Sequence, residues 1–367
     1  MSSKKFDNLF SLIRKLKESD GLEIYDTHVH PYDVMGVVLY GDYSINNKKE
    51  LVYNQCSLNK FSKANAQKPT LQELLKYNSI STRIIKQLFH TTPSVVRSSI
   101  INSYTVTGEK QILSEMKSAL VDKSVLLPLS PFVETKEINK HFNDDDFIFL
   151  GSIDIHNTPI GNIEKEIESQ IRNYRIKGIK LHPNLQGFYP QPSQNNSGVS
   201  EKLKKLYRTA EKKGLYLLFH SGYSNLLPNS QKLGYNLTQG SSFALLENFC
   251  NLDGKSELFE NYQITIVLAH LGQYSIVRPN LELVKLLSDK YPHVFFDTAG
   301  VSPKLIREAI ELIGSKKIVF GSDALYNGIL YNLKFCFDAI YKTGKKEVFE
   351  EKILNIFGRN FKEKVLK

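Results

Sequence analysis

Tyr25-Asp26-Thr27-His28-Val29-His30-Pro31 is the stretch on which the fold turns. With Leu22 to Val29 read as a strand, side chains two apart share a face, so His28 and His30 aim at one point and Val29 faces the opposite layer. Pro31 cannot extend a hydrogen-bond ladder, which places the pair where the strand ends. In a parallel α/β barrel that end is the catalytic rim. Two imidazoles aimed together suit a metal, but histidines at this spacing also occur as ordinary core residues. The rest of the chain has to decide.

Outward from this stretch, a regular rhythm begins at Ser124. Ser124–Pro128, Phe147–Ile155, Gly178–His182, Leu215–His220, Ile264–His270, Val294–Thr298 and Ile318–Asp323 are short apolar runs. Between most of them lie helical patterns: Ile163–Arg175, Glu201–Lys213, Leu281–Lys290 and Pro303–Ile313. Buried strands alternating with amphipathic helices predict a parallel sheet, and the first strand brings the count to eight. The fold class expected is therefore α/β, a distorted (β/α)8 TIM-like barrel, with residues 1–367 forming a single domain. An open doubly wound sheet is the alternative, but no G-x-G-x-x-G turn follows the first strand.

Residues 32–120 do not share the rhythm and read as a helical insertion after strand 1, a lid over the barrel mouth. The part from Gly41 to Leu120 carries +6 of the chain's net +10. That charge suits an anionic substrate, or equally a lysine-rich solvated surface. Elsewhere the lysines are scattered along helix faces, so no nucleic-acid partner is expected. Cys56, Cys250 and Cys336 form no C-x-x-C pair, which argues against a disulfide framework or a thiolate zinc site and for a reducing cytoplasm. Phe6, Leu9, Phe10, Ile13 and Leu16 recur at helical spacing, so the N-terminus reads as an amphipathic helix and not a secretion signal. No run approaches the roughly 18 apolar residues of a membrane span, so no membrane partner is expected. The partner implied is a small-molecule substrate, and a homo-oligomer is left open.

Polar residues fall at the ends of the apolar runs. His220 ends Leu215-Tyr-Leu-Leu-Phe-His, His270 ends Ile264-Thr-Ile-Val-Leu-Ala-His, and Asp323 ends Ile318-Val-Phe-Gly-Ser-Asp. Lys180 and His182, two apart before a proline, repeat the spacing of His28 and His30. Any one buried histidine is usually satisfied by a backbone partner, yet independent core histidines would not all choose C-terminal strand ends. The joint pattern suits a metal held by neutral imidazoles and a carboxylate, with a position open for water. Asp154 and His156 are a further pair that could line the pocket, whereas His90, His141 and His293 read as surface or structural residues.

The motifs Asp26-Thr-His-Val-His-Pro, Gly178-Ile-Lys-Leu-His-Pro, Phe219-His-Ser-Gly, Leu268-Ala-His-Leu-Gly and Phe320-Gly-Ser-Asp-Ala, taken in order, resemble the metal-dependent amidohydrolase superfamily in its amidohydrolase-related branch. The ending Ile353-Leu-Asn-Ile-Phe-Gly-Arg-Asn is similar to that branch's tail, departing from it at Arg359 and Phe361. The resemblance implies that His28, His30, His220 and Asp323 bind metal and that Asp323 also accepts a proton. It implies that His270 binds a second metal or the activated water, and that Lys180 is either a carboxylated bridge between two metals or, with His182, a holder of substrate. Imidazoles with one carboxylate favour zinc, with manganese as the alternative. One ion is expected over two, because an unmodified Lys180 needs no extra chemistry. The activity expected is hydrolysis of an amide, ester or lactone of a small substrate, with an anionic one as an option that the lid's charge suits. Decarboxylation of a small carboxylic acid on the same scaffold is the alternative. A non-catalytic barrel would be expected to lack a ligand, and a related nuclease barrel would carry a glutamate where Lys180 and His182 stand.

Overall fold

The computed structural model describes residues 3–31, 109–143, 145–224, 235, 237, 242–274, 276, 278–324, 328–343 and 346–366. Eight parallel strands follow one another in chain order: β1 Tyr25–Val29, β2 Lys123–Leu126, β3 Phe147–Gly151, β4 Gly178–Leu181, β5 Tyr216–Phe219, β6 Ile266–Leu268, β7 Val294–Asp297 and β8 Ile318–Val319. β8 returns to β1: Thr27 N donates to Phe320 O at 2.9 Å, Asp323 N to His28 O at 2.9 Å, and His30 N to Ala324 O at 2.9 Å. The sheet thus closes on itself, and the expected TIM-like barrel is the observed fold.

Alternation sorts the strand residues into two layers. Ile179, Leu181, Leu217, Phe219, Ile266 and Leu268 face outward into the core shared with the helices. Tyr216, Leu218, Val267, Phe295 and Val319 fill the barrel interior. Lys180 alternates with the outward pair Ile179 and Leu181 and stands in register with the inward Leu218. On β1 the register slips between Asp26 and Val29. A bulge changes the parity of a strand, and this one reconciles two demands. Tyr25 faces the interior near the bottom, while His28, three residues on, meets His30 at the rim.

The helices match the sequence pattern closely. Ile163–Tyr174 ends at Arg175 in a left-handed cap, Ser197–Lys212 starts under the Asn196 side chain, and Leu281–Lys290 and Pro303–Ile313 are capped by Asn280 and Ser302. The Asn196, Asn280 and Ser302 side chains accept from first-turn N–H groups that have no partner inside the helix, and Arg175 N donates to the Ile171 carbonyl at a helix C-terminus. The helix Glu109–Ala119 buries Ile112, Met116 and Ala119 in the outer core, and its Glu115 accepts from Ile329 N at 3.3 Å. That helix docks on the barrel wall; the remainder of the expected lid, residues 32–108, lies outside the described residues, as do Cys56 and His90.

The N-terminal end of the barrel is sealed by the chain's own tail. A π-helix over Asn355–Val365 sends Phe361 and Val365 into the interior, with the Phe361 ring 5.4 Å from Tyr25 and 5.8 Å from Tyr216. Asn360 Nδ2 donates to Ser315 O and Ile318 O, both at 2.7 Å. A Cβ at Gly358 would stand 2.5 Å from Glu23 O, so only glycine lets the tail lie this close to β1.

Candidate metal and catalytic site

At the opposite end, the strand termini present their polar side chains. His28 Nε2 and His30 Nε2 face each other at 3.2 Å, and Asp323 Oδ1 lies 3.8 Å and 3.9 Å from them. All three residues are buried, and among the described residues they form a group whose donor atoms lie within 4.8 Å of one another. His220 belongs to the same rim but not to that group. Its Nδ1 lies 3.2 Å from His270 Nε2, its ring stacks on His182 at 3.9 Å, and its Nε2 is buried without a hydrogen-bond partner among the described residues.

A divalent cation fits this donor set. Two imidazole nitrogens at 3.2 Å repel one another unless a cation or a proton lies between them, and His220 Nε2 is an orphaned buried lone pair or N–H of the kind a ligand satisfies. Burial, reinforced by neighbouring positive charge, keeps the imidazoles in the neutral form that metals take. It lowers His30 and His270 well below the usual histidine range, and with the charge of Lys180 it lowers His220 to about 3.

Lys180 is completely buried, and its Nζ has no hydrogen-bond partner among the described residues. Burial pulls its ammonium down to about 8, against the charges of Asp297 and Asp323, so it remains mostly a cation at neutral pH. His182 caps the turn Pro183–Gln186, and its own N–H donates to Gln186 Oε1 at 2.8 Å. Gln186 in turn donates to Ser130 O and Ile153 O, which ties the ends of β2, β3 and β4 together around His182. His156 turns away from these groups: its Nε2 faces Gln186 O at 2.7 Å and its ring stacks on Tyr235 at 4.0 Å, so it braces the β4 loop. Asp154 accepts from His156 N and Asn157 N and shapes the turn after β3.

The backbone at the rim is bent to aim the side chains. His270 and Leu271 have φ of +58° and +51°, and Asp323 has φ of +60°. Left-handed conformations at residues other than glycine cost on the order of 1–3 kcal/mol each and persist where surrounding contacts hold them. Sequence reasoning missed the two carboxylates that provide this support. Asp26 accepts from Ser322 N at 2.8 Å and Ser322 Oγ at 2.5 Å, fixing the turn from which Asp323 projects. Asp297 accepts from His270 N at 2.7 Å and Ala299 N at 3.0 Å, and its second oxygen lies 2.8 Å from His28 Nδ1. The available signal was that Asp297 closes the apolar run Val294-Phe295-Phe296, just as His220 closes its own. Tyr274, whose ring lies 4.5 Å from His270 and 5.3 Å from His220, gave no signal.

The structure is a closed parallel barrel with imidazoles and a carboxylate converging at its C-terminal rim, a donor set that could hold a metal ion. Residues 107–332 match the Amidohydrolase family model Amidohydro_2, and the chain belongs to that family. No curated protein matches the sequence at a significant level. Solved structures share the fold at low identity. The 5-carboxyvanillate decarboxylase from Sphingomonas paucimobilis is 14% identical at a TM-score of 0.50, over 94% of this chain and 99% of the other. A probable 2-pyrone-4,6-dicarboxylic acid hydrolase from Acinetobacter baumannii, solved with citric acid, is 13% identical at 0.50 over 94% and 99%. The 5-carboxyvanillate decarboxylase from Novosphingobium aromaticivorans, solved as a mutant with manganese and a nitrobenzoic acid, is 14% identical at 0.51 over 95% and 98%. No helix among the described residues is long and apolar enough to cross a membrane.

Proposed function

We propose that the protein is a metal-dependent hydrolase that cleaves an amide, ester or lactone bond in a small, carboxylate-bearing compound. The convergence of His28, His30 and Asp323 on one buried point carries this reading. His220, with its unpartnered Nε2, is the fourth ligand in this proposal, and one zinc or manganese ion is the cofactor. When bound, the ion supplies Lewis acidity and lowers the pKa of a water. The Asp323 carboxylate, 3.8 and 3.9 Å from the His28 and His30 nitrogens, would accept a proton from the attacking water and return it to the leaving group. His270 donates its Nδ1–H to Ala299 O at 2.7 Å, so in its neutral form Nε2, 3.2 Å from His220 Nδ1, is an acceptor, placed to take a hydrogen bond from His220 or from the attacking water. Lys180 and His182 hold the substrate's carboxylate, because a buried ammonium without a partner calls for an anion. The buried free thiols of Cys250 and Cys336 agree with a reducing cytoplasm.

Decarboxylation is the second reading, supported by the same unpartnered Lys180. With the carboxylate beside Lys180, the C–C bond would break to release carbon dioxide, and the bonding pair left on carbon would take a proton from Asp323 in its protonated form. The solved barrels above carry names of both reaction classes, so the fold does not choose between them. A panel of carboxylated lactones, esters and aromatic acids, assayed in 18O-labelled water with zinc or manganese added and removed, separates them. Label in the organic product supports hydrolysis, and carbon dioxide released with no label in the organic product supports the second reading. No metal-dependent turnover of either kind across the panel counts against both.

A further inference from the structure

Asp297 lies wholly inside the protein at the end of β7, and nothing in the chemistry above uses it. Its two oxygens have separate duties. Oδ1 collects the N–H groups of His270 and Ala299, which holds the left-handed backbone that presents His270. An asparagine Oδ1 could do that equally well. Only Oδ2, facing His28 Nδ1 at 2.8 Å, makes use of a second acceptor oxygen.

We propose that Asp297 is the positioning residue that fixes the tautomer of His28, keeping the proton on Nδ1 so that Nε2 offers a bare lone pair toward His30 and Asp323. A neutral imidazole carries one N–H, and the partner of one ring nitrogen decides what the other can do. With a carboxylate at Nδ1, the proton is held there and Nε2 is ready to bind a cation. With an amide –NH2 at the same place, Nδ1 has to accept and the proton moves to Nε2. It then points into the gap of 3.2 Å to His30 Nε2, where a metal would have to displace it. Because the same side chain holds the His270 turn, one carboxylate sets both the lone pair of a proposed ligand and the placement of the adjacent histidine.

This inference rests on reading the site as a metal centre, and the test separates the two. The variant is Asp297→Asn, which retains the acceptor for His270 N and Ala299 N. Zinc affinity is measured by competition with a chromophoric chelator, and the His28 tautomer by 15N chemical shifts in metal-free, histidine-labelled full-length protein, assigned with His28→Gln. The wild type is expected in the Nδ1–H form. The variant is expected in the Nε2–H form, with zinc bound about 10- to 100-fold more weakly and the metal-free melting temperature little changed. Equal zinc affinity in a folded variant, or an Nε2–H tautomer in the wild type, overturns the role of Asp297. A wild type that binds no zinc overturns the metal reading instead. Should the variant not fold, the wild-type tautomer alone still decides, since Nε2–H there contradicts the proposal.

Discussion

The two ends of this barrel are made from the same strands and solve opposite problems. At the N-terminal end, polar groups are satisfied by the chain itself: Asn360 spans two carbonyls, and Lys317 Nζ donates to Tyr291 O, Pro292 O and Val294 O. Aromatic rings from Tyr25, Tyr216 and Phe361 fill the space between, and the groups left without a partner at this end among the described residues are the Tyr216 hydroxyl, Ser124 Oγ and His293 Nε2. At the C-terminal end, Lys180 Nζ and His220 Nε2 are buried and unpartnered, and three residues with side chains sit in left-handed backbone. Isolated unsatisfied groups occur at both ends; what sets the rim apart is a buried ammonium and an unpartnered imidazole beside three converging donors, which marks where a ligand belongs.

Substitutions at the two ends should therefore separate activity from stability. The largest effect is expected at Asp323: Asp323→Asn cannot accept a proton and should lower turnover by about 10²-fold or more with the fold intact. Turnover near the wild-type value, with unchanged metal content, would remove Asp323 from the chemistry. Lys180→Met should raise KM for a carboxylate substrate by roughly 10- to 100-fold, because the anion loses its charged partner. An unchanged KM would mean that Lys180 reads nothing.

Lys180→Met should also sharpen the contrast in the metal-free protein, by making it more stable at neutral pH by about 1–3 kcal/mol. The Lys180 ammonium titrates near 8 when folded, below the ordinary lysine value of about 10.4. Its cost to stability is therefore present below pH 8 and disappears as pH rises toward 10.4. Urea unfolding of wild type and variant should converge over that interval, and parallel curves would contradict the assignment. The smallest expected effect is at the sealed end. Asn360→Ala should cost about 1–3 kcal/mol by leaving Ser315 O and Ile318 O unmet, with kcat/KM unchanged. A loss of activity larger than the loss of folded protein would show that the two ends are coupled.

Much of this contrast was legible in the sequence, because apolar runs that end in His or Asp state both the strand and its exit point. His28, His30, His220, His270 and Asp323 were found that way, and so was the eightfold repeat. The strands are shorter than their apolar runs: β6 stops at Leu268 and β8 at Val319, so that His270 and Asp323 leave the ladder and turn inward. The bulge in β1 was not legible, since a parity change depends on the neighbouring strand's register. Asp297 resembles any strand-end acid, and Asp26 any acid within a strand, until their partners, 269 and 296 residues away, are brought alongside. The purpose of the tail was hidden for the same reason, because Gly358 is required only by the approach of Glu23 O.

The most direct measurement is zinc stoichiometry in the full-length protein, prepared with zinc and freed of loosely held ion, beside a His28→Ala, His30→Ala double variant. Wild type should retain about one ion per chain and the variant almost none. Retention below roughly 0.2 per chain in the wild type, or equal retention in both, would contradict a metal centre at this rim.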